Sequence, residues 1–525
     1  MSGGKSSGGA RFVKNAAILT VTSLVLRTVG IFFRIYLSGC IGAEGMGLYQ
    51  LVVSIYVLVS TFATAGICTA VTRLVTDELA CGTTGGARRI MHWAVALSVL
   101  IGAVSAVLLY AAAEPIAVGW LHDGRAVPAL RVLTAGLPFM GVSSCLRGYF
   151  MARRKVAVSS RAQLVEQMVR IGTIALLIGR FAPHGLAAAC AAVMIGDTLA
   201  EIVACGHLAL GYWLDKRHLP ATNAKKITNR RVMSRLLAIA APITAGRYLN
   251  SLLRTIENLL VPDCLTKYNH SKETSLAQFG TLKGMALPLL FFPSSFLSAL
   301  SMLLIPEISE AAALRQRDRV NGAVVRTLHL TLTASILIGG VFTLYAYPIG
   351  QILYHSEEVG MLLRVLAPLA PVMYLESVVD GILKGLDQQV SSLKYSVLDS
   401  VVRIALIVVL VPRRGMAGFL FVMVVSNVLT SLLNLHRLLT VTAVRTQWLR
   451  WLIAPLTAVG VAGTAAYLFG RSPLAAAMPV LLSTILGAAG MCVLYAVLLL
   501  PLGCVTRGDF RPPRAAAKSP ADIAP

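Results

Sequence analysis

Arginine recurs at a spacing of seven residues within two long apolar stretches of the sequence. Arg27 and Arg34 form the first pair, and Arg247 and Arg254 form the second. On an α-helix, residues seven apart share one face and lie about 10 Å apart along the axis. An arginine at the centre of a membrane helix costs roughly 2.5–3.5 kcal/mol to insert, so such residues usually face an internal cavity and something negative. The two pairs therefore predict a cavity that binds an anion.

Acidic residues occur within the apolar stretches as well. Glu166 stands four residues before Arg170, and Asp399 stands four before Arg403. Side chains at this spacing meet on one helix face, so we interpret both pairs as structural ion pairs inside the membrane. Four more acids form two pairs with no cation beside them on their own helix: Asp197 with Glu201, and Glu376 with Asp380. These four are predicted either to bind a coupling ion or act in gating, or to pack against an arginine of another helix.

The sequence carries no sign of covalent chemistry. No nucleophile–base pair, phosphate loop or metal-ligand spacing stands out, so we predict a protein that is not an enzyme and uses neither cofactor nor metal. The nine cysteines are scattered, mostly within apolar stretches, and none is in a CxxC motif. We expect them to be small apolar core residues rather than disulfides or zinc ligands.

The composition indicates the elements that must position these charges. Of the 525 residues, 56% are hydrophobic and only 13% are charged, and the mean hydropathy is +0.75. Soluble domains average about 25% charged residues, so this is a membrane protein with many spans. The net charge is +24, but no soluble domain is present to carry a basic face, so we do not expect nucleic acid as a partner.

Hydropathy predicts about fourteen transmembrane helices, over residues 13–37, 45–70, 90–113, 128–151, 159–180, 184–212, 234–261, 277–305, 322–347, 361–383, 392–412, 415–438, 449–470 and 474–502. With a cytoplasmic amino terminus, about thirty lysines and arginines fall in the inside segments and about nine in the alternate loops. The positive-inside rule therefore places both termini in the cytoplasm, which fits an even number of spans.

An internal repeat sets the predicted architecture. Five features recur at a constant offset of 233 residues: Arg131-Val132-Leu133 as Arg364-Val365-Leu366, Pro138 as Pro371, Gly148 as Gly381, Val169-Arg170-Ile171 as Val402-Arg403-Ile404, and Gly185 as Gly418. The repeat relates spans four to six to spans ten to twelve. Because six spans separate the copies, both have the same orientation in the membrane.

The predicted fold is an all-α polytopic membrane protein with two six-helix lobes related by this parallel repeat, plus two C-terminal helices. The predicted segments are a cytoplasmic N-tail (1–12), an N-lobe (13–213), a basic linker (214–233), a C-lobe (234–440), two additional helices (449–503) and a disordered tail (504–525). A cleft between the lobes is the expected substrate site.

Several motifs resemble a known family. The stretches after the first span (42–50), at 146–150 with 166–170, and from 284 to 293 and 305 to 309 are similar to the oligosaccharide-flippase branch of the multidrug/oligosaccharidyl-lipid/polysaccharide superfamily, which includes MurJ-type lipid II flippases. The resemblance covers about residues 12–500. It implies alternating access and the flipping of an undecaprenyl-diphosphate-linked sugar for cell-wall or spore-wall synthesis. It also implies that Arg27, Arg34 and Lys283 contribute to the cationic cavity.

From the residues and the resemblance together we predict a flippase that translocates an undecaprenyl-diphosphate-linked oligosaccharide, such as the peptidoglycan precursor lipid II, across the cytoplasmic membrane. The predicted substrate-binding residues form a cationic cavity: Arg27, Arg34, Arg247, Arg254 and Lys283. The expected partners are that substrate, anionic membrane lipids and a coupling ion, and the expected state is a monomer. Two alternatives stay open: a multidrug cation antiporter of the same fold, and a membrane scaffold for wall synthesis that does not transport.

Overall fold

The structure is a computed structural model. It describes the backbone of residues 4–64, 66–217, 229–297, 308–309, 311, 314–442, 444 and 447–502, and side chains from residue 17 onward. Parts of the predicted basic linker (218–228), the motif at 305–309 and the predicted C-terminal tail (504–525), with Cys504, lie outside the described residues.

The described residues are almost entirely helical and include no β-strand. They divide into two compact units, residues 1–292 with 396–423, and residues 293–395 with 424–525. The helices of the first unit are α1 (Gly4–Thr64), α2 (Ile67–Ala80), α3 (Thr84–Pro115), α4 (Val127–Thr134), α5 (Leu137–Ala152), α6 (Val156–Phe181), α7 (Leu186–Arg217), α8 (Asn229–Asn269), α9 (Lys272–Gly280) and α10 (Leu287–Phe291).

The helices that follow are α11 (Arg317–Leu344), α12 (Ala346–Tyr354), α13 (Glu357–Leu366), α14 (Ala370–Gly385), α15 (Gln389–Thr442), α16 (Ala454–Gly470), α17 (Pro473–Ala476) and α18 (Val480–Leu499). They belong to the second unit, except that residues 396–423 of α15 belong to the first. The predicted division into lobes at 13–213 and 234–440 stays a prediction.

Two of the longest helices are interrupted at a glycine. Gly42 in α1 has φ 70° and ψ −178°, and Gly415 in α15 has φ 56° and ψ −140°. Positive φ favours glycine because a Cβ atom would be strained there. Both breaks fall at predicted boundaries between spans, so each long helix contains the turn between two predicted membrane helices.

The all-α membrane fold is confirmed. Among the described residues, ten helices are long and apolar enough to cross a membrane, or eleven if the bent pair Gly124–Thr134 and Leu137–Ala152 is one span. Two of the ten contain the breaks at Gly42 and Gly415, and the described part leaves out residues 298–307. The number fourteen therefore stays a prediction.

A network of charges ties the loop before α4 to its neighbours in the first unit. Arg125 binds Glu44 at 2.7 Å and Asp123 at 2.8 Å, and Lys272 lies 3.6 Å from Asp123. Burial by itself raises the pKa of Asp123, but its hydrogen bonds from Arg125 outweigh that effect and hold the pKa below its ordinary value. Asp123 therefore stays ionised at neutral pH, and the network remains charged. If the termini are cytoplasmic, as predicted from the sequence, this network lies on the outer side of the membrane.

The same end of the first unit contains a close approach between α1 and α9. A Cβ atom on Gly280 would overlap the carbonyl oxygen of Ala43, and one on Gly47 would overlap the carbonyl oxygen of Leu276. Backbone atoms cannot move aside as a flexible side chain can. Glycine at these two positions therefore permits the contact between the two helices.

We expect Gly280→Ala to destabilise the protein by about 1–3 kcal/mol, the usual cost of overpacking a close contact. The measurement is the thermal unfolding midpoint of the purified protein in detergent. Gly179→Ala is the matched control, since a Cβ on Gly179 meets no atom within 4 Å. If Gly280→Ala unfolds at the same temperature as the wild type, the contact is looser than described.

Candidate functional site

A polar cleft opens between α8 and the part of α1 that follows the Gly42 break. Its volume is about 360 Å³. The residues that line it are Gln50, Val53, Ser54, Val57 and Thr61 of α1, and Arg247, Asn250, Ser251, Arg254, Thr255 and Asn258 of α8. All of them belong to the first unit. The lining described here contains two cations and no carboxylate, so the cleft is electropositive.

Hydrogen bonds fix the walls of the cleft. Asn258 Nδ2 donates to Ser54 Oγ at 3.0 Å, and Thr255 Oγ1 donates to the Ser54 carbonyl oxygen at 3.2 Å. Further along α8, Asn250 Oδ1 accepts a hydrogen bond from Ser396 Oγ of α15 at 3.1 Å. These contacts set the rotation of α8, and so they determine which of its faces presents the arginines.

Arg247 and Arg254 both reach the cleft, two helical turns apart on one face of α8. Glu257 follows Arg254 by three residues, a spacing at which the two side chains could form an ion pair on one helix face. In the structure Glu257 is instead bound by Lys283 at 3.3 Å and by Arg403 at 3.2 Å. Arg254 interacts electrostatically with Glu257, but no described acid lies within ion-pair distance of its guanidinium. Its guanidinium is therefore available to a ligand in the cleft.

The other predicted cavity residues lie outside this lining. Arg27 is exposed on α1 before the Gly42 break, and Arg34 is partly buried on the same segment. Lys283 occupies a wide helical turn (Thr281–Ala286), where its Nζ contacts Glu257 and lies 5.9 Å from the centre of the Phe419 ring. The structure thus brings together one of the two arginine pairs, and it does not place the remaining three predicted cations with them.

The predicted pair Glu166–Arg170 is part of a larger cluster. Arg170 binds Glu166 at 3.0 Å on its own helix and Asp197 of α7 at 2.6 Å. Arg147 of α5 binds the second oxygen of Glu166 at 2.8 Å. Of the two alternatives for Asp197, the structure has the contact with an arginine of another helix. Glu201, one turn further along α7, is buried and belongs to the same region.

The second predicted pair also extends to other helices. Arg403 binds Asp399 at 2.7 Å and reaches across to Glu257 of α8, which in turn binds Lys283. Two cations and two carboxylates balance in this cluster. Sequence reasoning named Asp399, Arg403 and Lys283, but it did not predict that Glu257 connects them.

The remaining predicted acids lie on α14. Asp380 binds Lys384 at 2.5 Å, four residues on, and accepts a hydrogen bond from Ser392. Glu376 is partly buried. Across the described residues, no group of three or more His, Cys, Asp or Glu side chains is arranged to hold a metal ion.

The second unit contains an apolar groove of about 640 Å³. Small residues of α11 and α16, including Gly339, Gly340, Gly460 and Gly463, leave room for it, and Arg364 and Tyr467 are the main polar side chains of its lining. A groove of this chemistry suits a hydrocarbon chain.

Sequence reasoning missed the wall of the cleft that α1 contributes. Gln50, Ser54 and Thr61 recur at helical spacing within an otherwise apolar span. A stripe of polar side chains on one face of a membrane helix is the pattern that such a wall produces. The stripe was visible in the sequence and could have been paired with the α8 arginines.

Comparison with known proteins places the chain in a family. A sequence profile for polysaccharide biosynthesis proteins matches residues 12–312, more than half of the chain. The chain belongs to the polysaccharide biosynthesis protein family. This confirms the resemblance predicted from the motifs, and it makes the protein a relative of membrane transporters and flippases.

Curated relatives match most of the chain. Stage V sporulation protein B of Bacillus subtilis (strain 168) is 25% identical over 427 residues, covering 81% of this chain and 82% of that protein. Lipid II flippase MurJ of the same organism is 23% identical and covers 76% of this chain and 77% of its own length. These identities are low, so they support the family and leave the substrate open.

Solved structures share the fold. An inward-facing MATE multidrug transporter of the MOP superfamily superimposes with a TM-score of 0.63 at 15% identity, covering 81% of this chain and 98% of that one. At this identity the likeness shows the fold alone. The chain is a multi-pass membrane protein with the fold of MOP-superfamily transporters.

Proposed function

We propose that this protein is a flippase that moves an undecaprenyl-diphosphate-linked oligosaccharide, such as the peptidoglycan precursor lipid II, across the cytoplasmic membrane by alternating access. The observation that carries the proposal is the cleft that Arg247 and Arg254 line, since the described lining includes no acidic residue. Guanidinium groups bind phosphate oxygens in a bidentate fork, and two of them about 10 Å apart suit a diphosphate with its first sugar.

The apolar part of such a substrate needs a separate place. We assign the polyprenyl tail to the groove of the second unit, whose lining is mainly apolar with small residues. Burying hydrocarbon there would keep the tail away from water while the polar headgroup occupies a hydrated cleft.

The two alternatives fit the cleft less well. A multidrug cation antiporter of the same fold needs negative charge where its substrate binds, whereas the cleft presents two arginines and no described acid. A scaffold without transport would not need two arginines in the lining of a membrane cleft, because each is costly to insert. The arginine cleft therefore favours an anionic substrate.

The test is flipping in lipid vesicles that contain the purified protein. A fluorescent polyprenyl-diphosphate-linked amino sugar is placed in both leaflets, and its arrival in the outer leaflet is followed with a quencher that does not cross the membrane. We expect the protein to accelerate the exchange relative to protein-free vesicles. A rate equal to that of empty vesicles would reject the proposed function.

The rate should also depend on membrane potential. The cytoplasm is negative, so an anion that moves outward runs downhill by ~2.3 kcal/mol per charge per 100 mV. Two phosphate charges would gain roughly twice that, and no ATP is then required. We expect a potassium diffusion potential, negative on the side of departure, to accelerate flipping and the reverse potential to slow it. If the flipping rate does not change with the potential, the membrane potential does not drive the movement of the lipid.

A further inference from the structure

Glu201 of α7 is a buried acid that forms no ion pair with any residue in the described part of the chain. Its residue surface is 7% accessible, and its Oε2 atom has no hydrogen-bond partner among the residues that the structure describes. Burying an ionised carboxylate is costly unless donors or a cation compensate the charge. The state of Glu201 therefore depends on the charges around it.

The charged side chains around Glu201 already form ion pairs with one another. Both oxygens of Glu166 are bound, one by Arg147 and the other by Arg170, and Arg170 also holds Asp197 at 2.6 Å. The groups that interact electrostatically with Glu201 are Arg147 of α5, Glu166 and Arg170 of α6, Asp197 and Cys205 of its own helix, and Tyr56 of α1.

The acids in this cluster outnumber the cations by one. The cluster holds two guanidinium groups and three acids, and no cation that the structure describes lies within ion-pair distance of Glu201. Tyr56 cannot compensate, because its hydroxyl donates to Met140 Sδ at 2.7 Å. The least costly way to neutralise the remaining charge is to place a proton on Glu201.

The internal repeat shows that the fold does not need an acid here. At the offset of 233 residues, Asn434 corresponds to Glu201 and Thr430 corresponds to Asp197. Asn434 is buried too, and its Oδ1 lacks a hydrogen-bond partner among the described residues. A neutral amide therefore occupies the same helix position in the other copy of the repeat. Packing at this position does not require a carboxylic acid, which favours another role for Glu201.

A metal ion fits the site poorly. Hard cations such as calcium take six to eight oxygen ligands. In this cluster the oxygens of Glu166 are bound by arginines and Asp197 faces Arg170, which leaves few oxygens beside those of Glu201. A proton needs only one.

We propose that Glu201 binds an exchangeable proton, that it is neutral in the conformation described here, and that it releases the proton to water at another step of the transport cycle. Translocation then responds to the proton gradient as well as to the membrane potential. The coupling rests on the proposed flippase function, whereas proton binding by Glu201 does not.

Proton binding is tested by infrared difference spectroscopy of the full-length protein in lipid vesicles. We expect the carbonyl stretch of an isolated, protonated carboxylic acid, which disappears as the pH is raised. Glu201→Gln should remove this band, and Glu114→Gln should retain it, because Glu114 is an exposed residue paired with Arg131. A band that persists in Glu201→Gln, or a wild type without any titrating band, would overturn the proposal.

Coupling is tested in the vesicle assay with the same fluorescent lipid, with and without a pH gradient. We expect a severalfold change in the wild-type rate with the gradient, equal rates for Glu201→Gln in both conditions, and a retained response in Glu201→Asp. Failure of the wild type to flip the lipid would reject the proposed function and leave the infrared result standing. A gradient response that survives in Glu201→Gln would overturn the coupling.

Discussion

Replacing Arg247 and Arg254 together with glutamine should abolish flipping of the diphosphate-linked lipid. A hydrogen bond to a charged group contributes about 1.5–3 kcal/mol, which corresponds to a roughly 10- to 150-fold loss of binding for each arginine. Each single variant should therefore lose at least about tenfold in rate at a low substrate concentration. The vesicle assay measures this loss directly.

Two controls make the result specific to the cleft. Arg247→Lys retains the charge but loses the planar fork, so its rate should lie between that of the wild type and that of Arg247→Gln. Arg180→Gln removes an exposed arginine at the end of α6 and should flip the lipid at the wild-type rate. Wild-type flipping by the double variant, with an unchanged unfolding midpoint, would show that the cleft does not bind the diphosphate.

The variant Glu257→Gln should destabilise the protein strongly. Glu257 is only 5% accessible and compensates both Lys283 and Arg403. Removing one partner of a buried ion pair typically costs about 3–5 kcal/mol, because the remaining charge stays buried without compensation. We expect a clear fall in the thermal unfolding midpoint in detergent, larger than that of Gly280→Ala.

Charge balance supplies the matched control. In Glu257→Gln the cluster keeps two cations and one acid, whereas the double variant Glu257→Gln with Lys283→Met leaves the neutral pair Asp399–Arg403. The double variant should recover most of the lost stability. If it is no more stable than Glu257→Gln, the loss arises from packing rather than from an uncompensated charge.

Local spacing explains why part of the charged clusters could be predicted. Glu166 with Arg170 and Asp399 with Arg403 are four residues apart, so helix geometry alone brings each pair together. The contacts of Arg170 with Asp197 and of Glu257 with Arg403 depend on how helices rotate against one another. Hydropathy does not determine that rotation, so the sequence could offer only alternatives for Asp197 and could not predict the partners of Glu257.

The all-α membrane fold could be predicted for a similar reason. Long apolar stretches satisfy their backbone groups as helices in a membrane, whatever surrounds them. The position of Arg27 and Arg34 is different, because it depends on the direction of α1 before Gly42 relative to the segment after it. Both arginine pairs have the same spacing, and only one of them lines the described cleft.

The wide turn that carries Lys283 contains more residues per revolution than the helices on either side. A single surplus residue rotates everything beyond it by about 100° relative to an uninterrupted α-helix. Deletion of one residue within 284–286 would therefore change the direction of the Lys283 ammonium group relative to the Phe291 ring, without shortening any loop. Related chains that differ by one residue at this point would therefore direct the lysine side chain differently, and its ammonium group would face an acid other than Glu257.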